Sequence, residues 1–276
     1  MFSLPPSEPL DSALPPWHSL KASQVRRWPL PELSSPSDRT LARLAGLFAL
    51  WRVRLVEGWE NILPDRDPFV LAANHSSRRE ALLLPAVLLL ARGGKRVRFL
   101  ADWNFALIPG IGPLYRRSGA ITLTCKSARP RLLNRLKPRF QAQTPPFEEA
   151  KRHLAGGGSI GLFPEGTRNR DPCRLLRGRR GAARLSLETG APIIPVGIRF
   201  DRVDEAGARI DSSSAISIHI GAPLFPLAER IHPISRDSVT AWHARLMREI
   251  GQLRTRRYIT DSRHESTRQR RSHLIK

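Results

Sequence analysis

Phe69-Val70-Leu71-Ala72-Ala73-Asn74-His75-Ser76-Ser77-Arg78-Arg79-Glu80 carries the clearest indication of the fold class in this chain. The apolar run 69–73 predicts a short strand, and the polar residues 74–77 predict a loop. The largely apolar run 78–91 that follows predicts a helix. A strand that leads through a polar loop into a helix is typical of α/β proteins, and this corner is where their sheets usually hold ligands.

Strand and helix patterns alternate through the middle of the chain. The predicted strands are 53–55, 69–73, 97–100, 120–124, 159–163, 193–198 and 216–220. The predicted helices are 37–51, 78–91, 147–154, 181–188 and 238–253. Residues 105–117 are expected to form a loop, and the basic segment 126–145 has few signals of order. The alternation predicts an α/β fold with a layered, mixed and mostly parallel sheet flanked by helices.

The chain divides into three parts by composition. Residues 1–36 are rich in Pro and Ser and predict a flexible extension, residues 37–256 predict one folded domain, and residues 257–276 predict a charged tail. The domain begins with the basic amphipathic helix 37–51. Such a helix can lie in a membrane interface or pack on a core, and its pattern alone leaves both readings open.

The charge of the chain limits its partners. A formal net charge of +22 over 276 residues predicts binding to a polyanion, which could be nucleic acid, an anionic membrane surface or a phosphorylated substrate. Against nucleic acid, the sequence has no finger, RNP or basic-zipper signature, and its aromatic residues, 7% of the chain, do not interleave with the basic clusters. We therefore expect no nucleic-acid partner.

Cysteines and apolar runs exclude other classes. Cys125 and Cys173 are far apart without CxxC spacing, so neither a metal knuckle nor a disulfide framework is implied. The N-terminus lacks a basic segment followed by an apolar one, so we expect no signal peptide. The apolar runs 44–51 and 81–91 are shorter than the roughly 18–20 residues that a membrane span needs, so we expect none.

His75 and Glu80 form the first candidate pair. Histidine is the side chain best suited to accept a proton near neutral pH, and a carboxylate on its other ring nitrogen would fix the tautomer. The spacing is His-x4-Glu, an HX4E motif. Glu80 also has a structural explanation, because Ser77-x-x-Glu80 matches a capping box at a helix start.

The second candidate motif is Phe163-Pro164-Glu165-Gly166-Thr167-Arg168, which follows the predicted strand 159–163. A turn of this kind can present backbone N–H groups and the Arg168 guanidinium to a phosphate. Glu165 could bind a hydroxyl of the same ligand or brace the loop. The alternative is an ordinary turn with a surface ion pair.

Over roughly residues 50–225 the chain resembles the glycerophospholipid acyltransferase family, specifically its bacterial lysophosphatidic acid acyltransferase type. Four stretches in the family's order carry the resemblance. They are Asn74-His75-Ser76-Ser77; Ile108-Pro109-Gly110-Ile111-Gly112 with Arg116-Arg117-Ser118-Gly119-Ala120-Ile121; the turn at 163–168; and Ala191-Pro192-Ile193-Ile194-Pro195-Val196.

The resemblance implies transfer of a fatty acyl group from acyl-CoA or acyl-carrier protein to the hydroxyl of a lysophospholipid, without a metal or other cofactor. By this resemblance His75 is the general base and Glu80 orients it in place of the family's usual aspartate, so that Glu80→Asp should retain or raise the rate. The implied substrate-binding residues are Phe163, Pro164, Glu165, Gly166, Thr167, Arg168, Arg117 and Lys126. The implied location is peripheral, at the cytoplasmic face of an anionic membrane.

Two departures from the family pattern leave alternatives open. Glu80 is one methylene longer than aspartate, and Cys125 stands where the family usually has an arginine, with Lys126 beside it. The acceptor could therefore be another lysolipid, such as a lyso-aminolipid. A further alternative is an inactive, membrane-docked relative in which Glu80 only caps its helix.

Overall fold

A computed structural model describes residues 15–77, 79–109, 111–169, 171, 174–200, 214–226 and 234–255. Its α-helices are α1 (Ala22–Arg26), α2 (Pro36–Arg52), α3 (Glu80–Ala91), α4 (Ile111–Arg117), α5 (Pro146–Ala155), α6 (Gly181–Thr189) and α7 (Arg236–Thr255). Its strands are β1 (Val53–Glu57), β2 (Val70–Ala73), β3 (Val97–Asp102), β4 (Ile121–Leu123), β5 (Ser159–Leu162), β6 (Ile193–Phe200) and β7 (Ile216–Ile220). The predicted tail 257–276 and residues 1–14 of the predicted extension lie outside the described residues.

The described strands form one seven-stranded sheet with the order β1-β7-β6-β2-β5-β3-β4. Neighbouring strands are parallel except for β6 and β7, which are antiparallel. The prediction of a mixed, mostly parallel α/β sheet is confirmed. Because β2 and β5 are parallel neighbours, with Ala72 opposite Leu162, the loops that follow them leave the same edge of the sheet side by side.

Helices cover both faces of the sheet, and β2 is buried between them. On one face Phe69, Leu71 and Ala73 belong to a core shared with α2 and α3. On the other, Val70 and Ala72 belong to a core shared with α5, α6 and α7. Burial on both faces explains why this strand is a continuous apolar run and not an alternating one.

The prediction of a flexible extension is wrong for residues 15–36, which pack onto the core. Trp17 and Trp28 are 1% and 8% exposed. Their indole N–H groups donate to Val53 O at 2.8 Å and to Leu90 O at 2.9 Å. Large aromatic side chains with satisfied polar atoms stabilise a segment that has little regular structure of its own. The folded domain therefore includes at least residues 15–36.

Helix α2 agrees with the predicted helix 37–51, with one residue more at each end. Its inner face is buried through Ala42 and Ala49, so it packs on the core. Its outer face leaves Leu44, Phe48 and Trp51 exposed by 57%, 39% and 70%. Neither α2 nor any other helix within the described ranges is both long and apolar enough to span a bilayer.

Two segments are more ordered than predicted. The expected loop 105–117 contains α4, and Gly112 allows this helix to approach the preceding turn, because a Cβ there would lie 2.6 Å from Ala106 O. Within the basic segment 126–145, residues Arg131–Phe140 form a 3-10 helix. Trp103 holds this segment, because its Nε1 donates to Lys126 O at 2.9 Å and its ring contacts Phe140.

Candidate active site

The two predicted motifs meet at the carboxyl edge of the sheet. The backbone N–H of His75 donates to Glu165 Oε1 at 2.8 Å, and the Asn169 N–H donates to His75 O at 2.7 Å. The His75 and Phe163 rings are stacked, with centroids 4.5 Å apart and an interplanar angle of 28°. The adjacency of β2 and β5 thus brings residues 90 positions apart in sequence into direct contact.

His75 has one ring nitrogen bonded and one available. Its Nδ1 lies 2.9 Å from Glu80 Oε2, and the histidine side chain is 12% exposed. An ionised carboxylate accepts a hydrogen bond from the Nδ1–H group, so the neutral ring keeps its proton on Nδ1 and carries its lone pair on Nε2. Nε2 has no hydrogen-bond partner within the described part of the chain. This is the arrangement that a general base requires.

Glu80 makes both of the contacts that the two readings of the sequence predict, one with the His75 ring and one with the Ser77 backbone N–H. It is the first residue of α3, and its carboxylate accepts the backbone N–H of Ser76 at 2.8 Å and of Ser77 at 2.9 Å. The same Oε2 also accepts from the His75 ring. A carboxylate has about four lone-pair directions, so the cap and the contact with histidine do not exclude each other.

Burial dominates the electrostatics of Glu80. The side chain is completely buried, and this desolvation raises its pKa above the ordinary value of 4.5. The hydrogen bond and charge of His75 and the N–H groups of Ser77 and Ser76 act in the opposite direction on that pKa. A buried carboxylate beside the ring favours a positive charge on His75 when the ring takes up a proton.

Residues of the second motif differ in exposure and contacts. Pro164 and Glu165 are buried, whereas Thr167 and Arg168 are exposed. Gly166 has a φ of +64°, which glycine adopts without strain, and it turns the chain outward. Of the motif's side chains, those of Thr167 and Arg168 are therefore available to a ligand.

Glu165 braces the loop, which is one of the two roles left open by the sequence. Its side chain accepts the N–H of His75 at Oε1 and that of Leu176 at Oε2, at 2.8 and 3.0 Å. Both oxygens are thus directed at the backbone. Phe163 likewise contacts protein, because it lies between the His75 and Phe99 rings, with its centroid 5.9 Å from that of Phe99.

Of the two basic candidates outside the motif, one joins the site. Lys126 is exposed, and its Nζ donates to Gly166 O at 2.9 Å. Arg117 has its Nε 3.8 Å from Asp38 Oδ1, and within the described part of the chain it pairs with that residue and not with the turn. The substrate-binding role predicted for each of them stays a prediction.

Asn74 and Asn169 hold the histidine loop, and the sequence analysis assigned a role to neither of them. The Asn74 side chain donates to Ile198 O at 2.9 Å and accepts from Ile198 N at 2.6 Å, which ties the loop to β6. Asn169 is 3% exposed. The only signal in the sequence is that each amide lies directly beside a motif, and an amide there is equally compatible with an ordinary turn.

An apolar cavity of about 140 Å³ lies beside α3, and neither His75 nor Glu80 lines it. It follows α3 from Ala81, adjacent to Glu80, to Leu89. Its other walls come from α2, β3 and α4, and include Ala42, Ala45, Phe99 and Leu114. The charged residues Asp38, Arg96 and Arg117 also line it. Among the described residues there is no group of histidine, cysteine and acidic side chains that could hold a metal ion.

The protein-family model described as Acyltransferase matches residues 54–199. Two plant relatives each match about half of this chain. A chloroplastic 1-acyl-sn-glycerol-3-phosphate acyltransferase of Arabidopsis thaliana is 28% identical over 141 residues, which are 51% of this chain and 34% of the relative. One of Brassica napus is 27% identical over 141 residues, 51% of this chain and 36% of that relative. The match therefore spans about a third of these relatives' length.

Among solved structures, the 1-acyl-sn-glycerophosphate acyltransferase PlsC of Thermotoga maritima has a similar fold. The TM-score is 0.53 at 21% sequence identity, over 82% of this chain and 85% of that one. At this identity the likeness concerns the fold. It agrees with the mixed, mostly parallel sheet described above.

Proposed function

This chain belongs to the Acyltransferase family, whose model matches more than half of its residues, and on that premise we propose that it acylates a lysophospholipid. The donor is the thioester of a fatty acid, carried by CoA or by a carrier protein. The acceptor is 1-acyl-sn-glycerol 3-phosphate, and the product is phosphatidic acid. The observation that carries this proposal is the His75–Glu80 pair, with Nε2 available beside a turn that exposes Arg168.

The proposed reaction assigns one proton to His75. The acceptor hydroxyl gives its proton to Nε2 while its oxygen attacks the carbonyl carbon of the thioester. The tetrahedral intermediate expels the thiolate as the C–S bond breaks, and the imidazolium returns the proton to that sulfur. Glu80 stabilises the imidazolium in between. The hydroxyl oxygen is the nucleophile, so no covalent intermediate on the enzyme and no metal is required.

The phosphate of the acceptor is proposed to bind at the second motif. Arg168 can offer two parallel hydrogen bonds to phosphate oxygens, and Thr167 offers a hydroxyl. Lys126 lies against Gly166 and adds a point charge. This assignment uses the exposed part of the motif. A lyso-aminolipid without such a phosphate is the second candidate acceptor, favoured by Cys125 at the position where an arginine is usual.

The apolar cavity is the proposed site of an acyl chain. Its lining includes Ala81, the residue after Glu80, but neither His75 nor Glu80, so a chain inside it would reach His75 only if its carbonyl end extended beyond this wall. Its volume of about 140 Å³ is close to that of an engineered cavity of about 150 Å³ that binds benzene. A long acyl chain therefore needs the walls to separate further, and the cavity as it stands would hold only part of one.

The outer face of α2 is the proposed contact with the membrane. Leu44, Phe48 and Trp51 lie on one side of the helix and are exposed. Apolar side chains on a helix in a strongly basic protein favour binding to an anionic lipid surface, where each nearby Lys or Arg contributes about 1 kcal/mol. Such binding would bring the site to substrates that are dissolved in the bilayer.

The test is release of free thiol from acyl-CoA and from acyl-carrier protein in the presence of vesicles containing 1-acyl-sn-glycerol 3-phosphate. We expect transfer by the wild type from at least one donor and none by His75→Ala. The lyso-aminolipid reading predicts transfer only when that lipid replaces the phosphate acceptor. No transfer from either donor to any lysolipid would contradict the proposed function.

A further inference from the structure

We propose that Glu165 and Asn169 are positioning residues, which hold the His75 backbone in its working orientation and do not bind the acceptor. The inference rests on the proposed function for its kinetic consequences. Its structural basis is that Glu165 of the second motif and Asn169, directly after that motif, bind the N–H and the carbonyl of His75. Glu165 accepts the His75 N–H, and the Asn169 N–H donates to the His75 carbonyl, at 2.8 and 2.7 Å.

The contacts of Glu165 suit a brace better than a ligand. Its residue is 5% exposed, and its two oxygens accept N–H groups from two separate segments, at His75 and Leu176. A charged acceptor makes these bonds stronger than an amide oxygen would. A carboxylate turned toward an anionic ligand would instead repel it. Because both oxygens of Glu165 face the backbone, its negative charge stabilises the loop. The charge then does not face the proposed site of the acceptor's phosphate.

Asn169 contributes through its backbone, and its side chain fixes that backbone. The side-chain amide donates to Arg174 O, and its Oδ1 accepts the Asp171 N–H at 3.0 Å. These bonds hold the side chain of a residue that is 3% exposed. They fix the direction in which the Asn169 N–H meets the His75 carbonyl. Loss of the side chain would remove this fixation without removing the N–H itself.

Every polar group of His75 except Nε2 is therefore occupied. Its N–H, its carbonyl and its Nδ1 have partners in Glu165, Asn169 and Glu80, and its ring is stacked on Phe163. A displacement of about 1 Å at a reacting group can lower a rate about 100-fold. The second motif and the residue that follows it thus separate into two proposed functions: Arg168 holds the acceptor, and Glu165 with Asn169 hold the base.

The kinetic test compares Glu165→Gln and Asn169→Ala with Arg168→Ala in the full-length protein. In Glu165→Gln, one oxygen becomes an NH2 group that faces a backbone N–H. We expect kcat to fall about 10- to 100-fold, with the KM for the lysolipid changed less than about twofold. Arg168→Ala should raise this KM and leave kcat nearly unchanged. Glu148→Gln is the matched control, because its side chain is 52% exposed on α5.

A second readout is independent of activity. Amide hydrogen exchange by NMR should show a protected His75 N–H in the wild type and at least a tenfold faster exchange in Glu165→Gln, with thermal unfolding measured for each variant.

An unprotected His75 N–H in the wild type would overturn the brace. The brace would also be overturned if Glu165→Gln raised the KM at unchanged kcat, or if a folded Glu165→Gln had wild-type kinetics. If Glu165→Gln does not fold, Asn169→Ala decides by the same criteria. An inactive wild type with a protected His75 N–H would contradict the proposed function and leave the brace supported.

Discussion

Shortening Glu80 by one methylene, in Glu80→Asp, should slow acyl transfer, which reverses the expectation from the resemblance that this change retains or raises the rate. Glu80 reaches His75 Nδ1 at 2.9 Å from the first residue of α3. Removing one C–C bond withdraws the carboxylate by about 1.5 Å, which takes the contact beyond hydrogen-bonding distance unless the helix start moves. The start is held, because the loop before it is tied to β6, Glu165 and Asn169.

The size of the effect follows from the bond that is lost. A hydrogen bond to a charged group contributes about 1.5–3 kcal/mol, and about 1.4 kcal/mol corresponds to a tenfold change in rate. We therefore expect kcat to fall about 10- to 150-fold, with little change in the KM for either substrate. The bonds from Glu80 to the N–H groups of Ser76 and Ser77 weaken at the same time, so thermal stability should fall as well.

Initial rates of thiol release over a range of acceptor concentrations measure the change, with thermal unfolding recorded for each protein. Glu148→Asp is the matched control, since it also shortens a glutamate in the first turn of a helix but touches no part of the site. It should have wild-type rates. A Glu80→Asp enzyme at least as fast as the wild type would refute the reasoning, because it would show that the loop adjusts freely to the shorter side chain.

The pH dependence of stability, the N-terminal segment and the exposed face of α2 each give a separate prediction. Burial raises the pKa of Glu80 above 4.5, so the folded state binds this proton more tightly than the unfolded chain does. Compared with Glu80→Gln, the wild-type free energy of unfolding should decrease as the pH rises from 4.5 through that raised pKa, and equal slopes in urea titrations would contradict this. Trp28→Ala should lower the free energy of unfolding by about 3–5 kcal/mol in urea, whereas a change below about 0.5 kcal/mol would place the segment outside the core. Replacing Leu44, Phe48 and Trp51 with serine should weaken sedimentation with anionic vesicles at nearly unchanged thermal stability, and full retention of vesicle binding would exclude α2 as the contact.

The central sheet could be predicted because its signals are local. Apolar runs bounded by Gly, Pro and polar residues identified the strands, and the alternation with helices indicated the fold class. The same locality explains the main error, at residues 15–36. Trp17 and Trp28 are ordered by contacts with Val53 and Leu90, 36 and 62 positions away, which no local pattern contains. The helix α4 was missed for the opposite reason, because its glycine and proline indicate a loop wherever their packing partners are unknown.

The candidate site was predicted in its residues and only partly in its roles. His75 and Glu80 could be paired from their spacing, because a strand, a loop and a helix start fix their approach. The role of Glu165 could not be derived in the same way. A carboxylate in a turn binds whatever donor the fold supplies, and the donors here are the N–H groups of His75 and Leu176, from different parts of the chain. The local sequence therefore indicated the proposed chemistry. Contacts between segments that are distant in the sequence determine which atoms are free to take part in it.

Glu80 links the loop before α3 to the proposed chemistry through a single carboxylate. The N–H groups that it accepts, those of Ser76 and Ser77, lie directly after His75 and before the helix start, so the bonds that hold this loop also set the position of the ring. A separate loop brace and a separate orienting residue could each fail without the other. Here a displacement of the Glu80 carboxylate would remove both sets of bonds. The loop is correspondingly fixed at every residue from Asn74 to Ser77, by β6, the second motif and Glu80 in turn. Strict fixation of this loop is what a longer side chain at position 80 requires, since its additional rotatable bond would otherwise let the carboxylate leave the ring.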